Sequence, residues 1–292
     1  MKTVLAALAL ASLMLQSQIA AAQRGEFDSV RILASQLEEN FGARVGIAVM
    51  NTATGQIWSW RGNERFPMNS TFKAFACAAL LSEHDAGDAS LEARITIAPE
   101  HIVSHSPVLE GRIDASLSYR QLCEAALSQS DNAAANLVVD YLGGPMAITG
   151  FMRSIGDTQF SLDRLEPEMN LSDPERTIDA STPLAMIASL QLLLEGNGLS
   201  EAGRTTLTGW LKNNQVSDEL LRASLPYGWT IADRSGAGRT HTRSIIAMIS
   251  PPGRPSYFVA IYLDNANSDL AARSAVVAEI GASVLAVLTQ LE

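Results

Sequence analysis

The order in which strand-like and helix-like segments follow one another restricts the fold of this chain more than any other feature of its sequence. Residues 27–41 carry apolar side chains at helical spacing, and residues 270–291 form a second amphipathic pattern near the end of the chain. Short apolar runs typical of strands lie just inside these two segments. The strand-like runs are 45–50, 57–60, 230–233, 244–249 and 257–263. A linker rich in turn residues joins the first two runs and predicts an antiparallel hairpin.

The middle of the chain has a different character, because from Ser70 to about residue 211 the apolar spacing is mostly helical. The best-defined helical segments are 71–81, 119–127, 133–142 and 183–194. Strands near both ends with helices between them predict an α+β fold of two domains. We expect an antiparallel sheet flanked by helices, assembled from both ends of the chain, with an all-helical domain inserted into it.

These patterns also suggest domain boundaries. The sheet domain is expected to comprise residues 23–61 and 212–292, and the helical domain residues 62–211. Charges and little periodicity at about 162–182 predict a long ordered surface loop within the helical domain. A functional site is expected at the junction of the two domains.

The first 22 residues have the pattern of a secretory signal, with Lys2, an apolar run over 4–15 and alanines at 20–22. Cleavage near Ala22 and export to the periplasm follow from this interpretation; the alternative is a retained membrane anchor, for which the run is short. The formal net charge of −10 produces an acidic surface that repels phosphate backbones. We therefore expect an exported protein that binds neither nucleic acid nor membrane. The lack of an apolar repeat favours a monomer.

The chain contains two cysteines, Cys77 and Cys123. An even pair in an exported protein favours a structural disulfide, and the alternative is two inert thiols in the core.

Ser70 and Lys73 form a Ser-x-x-Lys pattern that opens an apolar helical run just after Pro67. Residues three apart lie on one face of a helical turn, so the hydroxyl and the ammonium group are expected on the same side. A serine hydroxyl becomes a good nucleophile when a neighbouring base accepts its proton, and the start of a helix favours an oxyanion. The same pattern also arises from a helix cap followed by a solvated lysine.

Two further short motifs carry polar side chains suited to a substrate. Ser130-Asp131-Asn132 lies between two helical segments, where a hydroxyl and an amide could shuttle a proton and hold a carbonyl group. Arg234-Ser235-Gly236 lies where a strand begins, and the small residues after it leave room for a substrate along a sheet edge. Taken singly, the first motif could be a helix cap and the second a turn.

These three motifs occur in order, with Glu166-Pro167-Glu168-Met169-Asn170 between the second and the third. The combination resembles the class A serine β-lactamases, and the resemblance covers essentially the whole chain. It implies the two-domain fold of the serine β-lactamases and penicillin-binding transpeptidases, and hydrolysis of β-lactams without cofactor or metal.

The resemblance also implies a role for each motif residue. Ser70 is expected to become acylated, with its own backbone amide and that of Ala237 forming the oxyanion hole. Lys73 and Ser130 are expected to relay protons. Glu166 is expected to activate the hydrolytic water together with Asn170. Whether Lys73 or Glu166 is the base for acylation stays open at this stage.

Other positions match family features that surround these groups. Arg164 and Asp179 match an ion pair that closes the base of the long loop. The substrate-binding set implied by the resemblance is Asn132, Arg234, Ser235, Gly236, Ala237, Arg243 and His105. Arg243 is implied as a second cation for the substrate carboxylate, and His105 replaces an aromatic ring at the mouth of the cleft.

The chain departs from the family pattern at Arg234, where lysine is usual. Arginine here resembles the carbenicillin-hydrolysing subgroup, which accepts penicillins with an extra carboxylate, and a guanidinium can grip a carboxylate with two donors. The alternative is that Arg234 replaces lysine only as a nearby positive charge. Asn69 and Gly238 stand where carbapenem-hydrolysing members have a cysteine pair, so carbapenem hydrolysis is not implied.

Three other interpretations fit the sequence less well. His101 and His105 are four residues apart, but no further ligands at zinc spacing accompany them, so a metal site is not expected. A penicillin-binding peptidase would lack the pair formed by Glu166 and Asn170. A β-lactam sensor would need a membrane-spanning segment, which the sequence does not suggest.

Overall fold

The core of the protein is a five-stranded antiparallel sheet built from both ends of the sequence. The structure is a computed structural model that describes residues 25–171, 173, 175–239 and 241–291. Its strands are β1 (Arg44–Asn51), β2 (Gln56–Trp60), β3 (Phe66–Pro67), β4 (Arg94–Thr96), β5 (Ser116–Ser118), β6 (Ala180–Ser181), β7 (Thr230–Ala237), β8 (Arg243–Ser250) and β9 (Tyr257–Asp264). The main sheet has the order β2-β1-β9-β8-β7, while β3 pairs with β6 and β4 with β5.

Eight α-helices surround this sheet in the described part of the chain. They are α1 (Asp28–Phe41), α2 (Phe72–Ala86), α3 (Tyr119–Ser128), α4 (Asn132–Tyr141), α5 (Pro145–Ser154), α6 (Pro183–Leu194), α7 (Glu201–Lys212) and α8 (Leu270–Gln290). Five of them begin at a side chain that accepts a hydrogen bond from a backbone amide of the first turn, which stabilises the helix start. These N-cap residues are Ser118, Asp131, Thr182, Ser200 and Asp269.

The sheet separates two apolar layers because successive side chains of a strand point to opposite faces. In β9, Val259 and Ile261 pack with α1 and α8, whereas Phe258 and Ala260 pack with the helices from the middle of the chain. All eight residues of β9 are buried, and the strand carries no charged side chain before Asp264 at its end. The central strand therefore joins the two layers into one core.

The predicted fold class is confirmed. The first two strands form the expected antiparallel hairpin, in which Asn51 pairs with Gln56. Helices 71–81, 119–127, 133–142 and 183–194 appear within one residue of their predicted starts, although α2 continues to Ala86. The domain boundaries at 61/62 and 211/212 stay predictions, and the predicted signal at residues 1–22 lies outside the described residues.

One strand prediction was wrong in its extent. The strand expected at 230–233 continues to Ala237, so the Arg234-Ser235-Gly236 motif lies in its second half and not at its beginning. The alternative interpretation of this motif as a turn is wrong, because Gly236 and Ala237 pair with Ser244 and Arg243 of β8. The neighbouring strand therefore holds the motif in extended conformation. β7 is an edge strand of the sheet, as the substrate-edge hypothesis required.

Helix α8 is also long and apolar enough to cross a membrane, judged by length and composition alone. Its residues Val277, Ile280 and Val284 are buried against the sheet. Packing in the protein core therefore accounts for the apolar composition of this helix.

Candidate active site

The nucleophile candidate lies at the point where α2 begins. Asn69–Thr71 form a 3-10 turn that continues into α2, and Ser70 within it is buried except for 8% of its surface. The Ser70 hydroxyl donates to Oε1 of Glu166 at 3.3 Å. β7 passes so close to this turn that a Cβ on Gly236 would lie 3.0 Å from the backbone N of Ser70. Glycine in the third motif therefore allows the sheet edge to approach the nucleophile.

Lys73, one turn further along α2, is fully buried. Its ammonium group donates to the backbone oxygen of Ser130 at 2.8 Å, to the Ser130 hydroxyl at 3.3 Å and to Oδ1 of Asn132 at 2.6 Å. Oε1 of Glu166 lies 3.5 Å away. Burial lowers the pKa of Lys73 to about 8, although the charge of Glu166 opposes this shift. A large share of Lys73 is thus neutral in mildly alkaline solution.

The Ser130-Asp131-Asn132 motif connects α3 to α4. Ser130 has a positive φ of 60°, and Asn132 donates to the backbone oxygen of Ser104 at 2.9 Å. Asp131 is fully buried, caps α4 and accepts from the backbone N of Val108 and of Leu109. Asp131 therefore supports the loop, while its two neighbours present polar groups to Lys73.

Glu166 lies in the long loop and is almost completely buried. Asn136 of α4 fixes its backbone with two hydrogen bonds, donating to the Glu166 oxygen at 2.7 Å and accepting from its N at 2.9 Å. Asn170 donates to Oε2 of Glu166, and Asn69 donates to Oδ1 of Asn170 at 2.8 Å. Asn136 therefore fixes the backbone of Glu166 and Asn170 its carboxylate, which faces Ser70 and Lys73.

The base of this loop is closed by the predicted pair of Arg164 and Asp179. Nε of Arg164 lies 2.6 Å from Oδ2 of Asp179. Oδ1 of Asp179 also accepts from the backbone N of Asp163 at 2.8 Å and of Arg164 at 3.0 Å. Arg65 also ties the loop to its surroundings. It donates to the backbone oxygens of Ala180 at 2.9 Å, Arg176 and Thr177 within the loop, and to that of Gln159 just before it.

Arg234 is fully buried and lies behind Ser70. Its Nε donates to the backbone oxygen of Ser70 at 3.2 Å, and Nη1 donates to Oδ1 of Asn214 at 3.4 Å. Among the described residues, Nη2 has no hydrogen-bond partner. Burial lowers the pKa of Arg234 to about 10, against the opposing charge of Asp233, so the group stays positive at neutral pH.

A support for Arg234 was missed in the sequence. Asn214 donates to the backbone oxygen of Asp233 at 3.1 Å. Nε of Arg222 donates to the Asp233 carboxylate at 2.8 Å. Burial raises the pKa of Asp233, and Arg222 counteracts this. Asn136 and Asn214 were overlooked because neither stands in a motif. The only signal was an asparagine amid the alanines and valines of α4.

Arg243 begins β8 and lies beside the third motif. Its Nε donates to the Ser274 hydroxyl at 3.0 Å and Nη1 to the Gly236 oxygen at 3.2 Å. Nη2 lies 3.3 Å from Oε1 of Glu219. Arg273 donates to the backbone oxygen of Gly238 at 3.0 Å. Arg243 and Arg273 therefore both lie on this side of the site.

These groups surround a cleft with a volume of about 780 Å³, between the helices and the edge strand β7. Lys73, Glu166 and Arg234 lie beneath its surface and are not among the described residues that line it. The predicted residues in its wall are Ser70, His105, Ser130, Asn132, Asn170, Ser235, Gly236, Ala237 and Arg243.

The remaining predictions concern structure and metal binding. Cys77 and Cys123 form a disulfide with a Cα–Cα distance of 5.8 Å, which confirms the predicted pairing. Nδ1 of His101 bonds to the backbone N of Ala98 at 3.1 Å, so this ring stabilises a local turn. The described residues contain no group of three or more His, Cys, Asp or Glu that could hold a metal ion.

Comparison with known proteins agrees with this geometry. Residues 30–288 match the family described as the Beta-lactamase enzyme family. Beta-lactamase AER-1 of Aeromonas hydrophila is 44% identical over 252 residues, covering 86% of this chain and 83% of that protein. Beta-lactamase CARB-4 of Pseudomonas aeruginosa is 40% identical over 276 residues, covering 94% and 96%.

Solved structures give the same result. The chromosome-encoded β-lactamase of Vibrio parahaemolyticus has a TM-score of 0.85 at 44% identity, covering 86% of this chain and 96% of that one. The class A β-lactamase of the last common ancestor of Gram-negative bacteria (GNCA4) has a TM-score of 0.86 at 46% identity, covering 89% and 98%. The chain belongs to the class A β-lactamases. It is a hydrolase that opens the amide bond of β-lactams.

Proposed function

We propose that the enzyme hydrolyses penicillins, carboxypenicillins included, through an acyl-enzyme on Ser70. The observation that carries this proposal is the contact of 3.3 Å between the Ser70 hydroxyl and the Glu166 carboxylate. Asn136 holds the backbone of Glu166, and Asn170 holds its carboxylate. A serine with a fixed base beside it can form an ester and also have that ester hydrolysed.

In the first step the Ser70 oxygen attacks the lactam carbonyl and its proton passes to a buried base. Glu166 accepts a hydrogen bond from this hydroxyl, and neutral Lys73 is the second group that can take the proton. The negative charge on the carbonyl oxygen is met by the backbone amides of Ser70 and Ala237. The close approach of β7 to the nucleophile, at Gly236, supports this pairing of amides.

The lactam C–N bond then breaks, and its nitrogen needs a proton. The Ser130 hydroxyl gives its proton to this nitrogen, and the ammonium group of Lys73 then gives a proton back to Ser130. The distance of 3.3 Å between Lys73 and the Ser130 hydroxyl supports this relay. The product of this step is an ester of Ser70 with the opened lactam.

Hydrolysis of the ester requires a water molecule held beside Glu166. The carboxylate removes a proton from the water, and the hydroxide attacks the ester carbonyl. The ester bond then breaks, and the Ser70 oxygen leaves with the proton that Glu166 took from the water. Asn170 orients the carboxylate through its hydrogen bond to Oε2 and is itself held by Asn69. This pair separates a turning-over hydrolase from a protein that stays acylated.

Substrate recognition is assigned to the cleft wall. Asn132 holds the side-chain amide of the penicillin, and Ser235 and Arg243 hold its ring carboxylate. His105 contacts the penicillin at the mouth of the cleft. Arg234 contributes a permanent positive charge from behind Ser70, which favours substrates with a second carboxylate. Its full burial argues that it acts through its field more than through a direct two-donor grip.

We further propose that the mature enzyme works as a monomer in the periplasm without cofactor. The predicted signal at residues 1–22 supports this location, and the net charge of −10 favours solubility.

The test is to incubate the purified mature protein with excess benzylpenicillin while recording lactam absorbance and the intact protein mass. We expect many turnovers and an unmodified mass at the end. A stable one-to-one adduct would instead indicate a sensor or a peptidase. Ser70→Ala is the matched control and should neither turn over substrate nor gain mass.

A further inference from the structure

An acidic side chain in the cleft wall faces the arginine assigned to the substrate carboxylate. Glu219 lines the cleft that contains Ser70, and its Oε1 lies 3.3 Å from Nη2 of Arg243. It stands in a turn closed by the hydrogen bond from the Leu220 N to the Ser217 oxygen at 2.9 Å. Glu219 belongs to none of the sequence motifs.

The two partners differ in their freedom to move. The Arg243 side chain is 7% exposed, whereas that of Glu219 is 59% exposed. Hydrogen bonds to the Ser274 hydroxyl and to the Gly236 oxygen fix the guanidinium from two other sides. Glu219 can therefore swing into solvent, but Arg243 cannot follow it.

The charges around this pair are also unequal. Burial lowers the pKa of Arg243, the negative charge of Glu219 opposes that shift, and the positive charge of Arg273 adds to it. Arg243 and Arg273 both line the cleft. Glu219 thus neutralises part of the positive charge that an anionic substrate would meet.

We infer that Glu219 is a specificity-determining residue whose carboxylate competes with the carboxylate of the substrate for the guanidinium of Arg243. This inference rests on the proposed function, in which Arg243 binds that carboxylate. A penicillin must displace Glu219 from Nη2 or bind beside it against like-charge repulsion. The competition weakens binding of every anionic β-lactam and leaves a substrate without this carboxylate unaffected.

The size of the effect follows from the exposure of the pair. An ion pair with one largely exposed partner is weak, so its removal should improve binding by a factor of roughly 2 to 5. The gain should appear in KM, because the reacting atoms at Ser70 do not touch Glu219.

The experiment compares Glu219→Gln with wild type on benzylpenicillin and on its methyl ester, which lacks the ring carboxylate. Asp218→Asn is the matched control, because Asp218 is the exposed neighbouring acid and is not among the described residues that line the cleft. We expect Glu219→Gln to lower KM for the acid roughly 2- to 5-fold with kcat unchanged, and to leave the ester unaffected. Asp218→Asn should leave KM and kcat unchanged for both substrates.

Several results would overturn the inference. A higher KM for the acid would mean that Glu219 positions Arg243 for the substrate. Equal gains on acid and ester, or the same gain from Asp218→Asn, would indicate a general effect of charge. If wild type prefers the acid over the ester and Glu219→Gln does not move that preference, this inference alone fails. If wild type does not distinguish acid from ester, the proposed role of Arg243 fails with it.

Discussion

Replacing Asp179 by alanine should destabilise the protein mainly through lost backbone hydrogen bonds. The Asp179 side chain is 2% exposed, and its Oδ1 accepts from the backbone N of Asp163 and of Arg164. Alanine leaves both amides without this acceptor. It also removes the partner of the Arg164 guanidinium at 2.6 Å.

The magnitude can be estimated from these contacts. An amide that loses its partner away from water costs about 1–3 kcal/mol, and both amides here are only partly buried. The Arg164 side chain is 27% exposed, so water replaces much of its lost ion pair. We expect a total of about 2–4 kcal/mol. At about 2–4 °C per kcal/mol for a chain of this size, Tm should fall on the order of 10 °C.

The assay is thermal unfolding of wild type, Asp179→Ala and Asp179→Asn. Asparagine keeps an acceptor oxygen for the two amides and removes only the charge, so its loss of Tm should be clearly smaller than that of alanine. Equal losses for the two variants would refute the assignment of the main effect to the amides. Both variants should also slow deacylation, because the Arg164–Asp179 pair closes the loop that carries Glu166.

The remaining predictions concern catalysis. Glu166→Ala should accumulate a penicilloyl adduct, seen by intact mass, and normal turnover would remove Glu166 from the mechanism. In that variant the acylation rate should rise with pH with a midpoint below about 8, because Lys73 must be neutral and the charge that raised its pKa is gone. A flat profile across roughly pH 5 to 9 would exclude Lys73 as the base. Arg234→Ala should reduce kcat/KM for carbenicillin more than for benzylpenicillin, and equal losses would contradict the specificity argument. Arg234→Lys should keep the charge and most of the activity on benzylpenicillin.

The sequence predicts those parts of the structure that depend on local pattern. The start of α6 at Pro183 follows from proline and apolar spacing, and the hairpin of β1 and β2 follows from its turn. The extension of β7 through Gly236 and Ala237 could not be predicted, because it depends on pairing with β8.

The same distinction applies to the site. Ser70, Lys73, Ser130 and Glu166 stand in short motifs, and the fold brings them within hydrogen-bond or ion-pair distance of one another. The partner of the Ser70 hydroxyl is nevertheless Glu166, which lies far along the chain, and not the nearby lysine. Asn136 was missed because its function is to fix a backbone segment, and no local pattern records that.

The pairing of β1 with β9 has a consequence for how the protein is made. β1 leaves the ribosome early, yet Ile47 pairs with Ile261 of a strand that is synthesised near the end. Until then the β1–β2 hairpin lacks its main neighbour, and an isolated hairpin is at best marginally stable in water. β7 and β8 also join the sheet only through β9. A nascent chain that stops before residue 257 therefore holds every catalytic side chain but has no sheet edge on which to place a substrate.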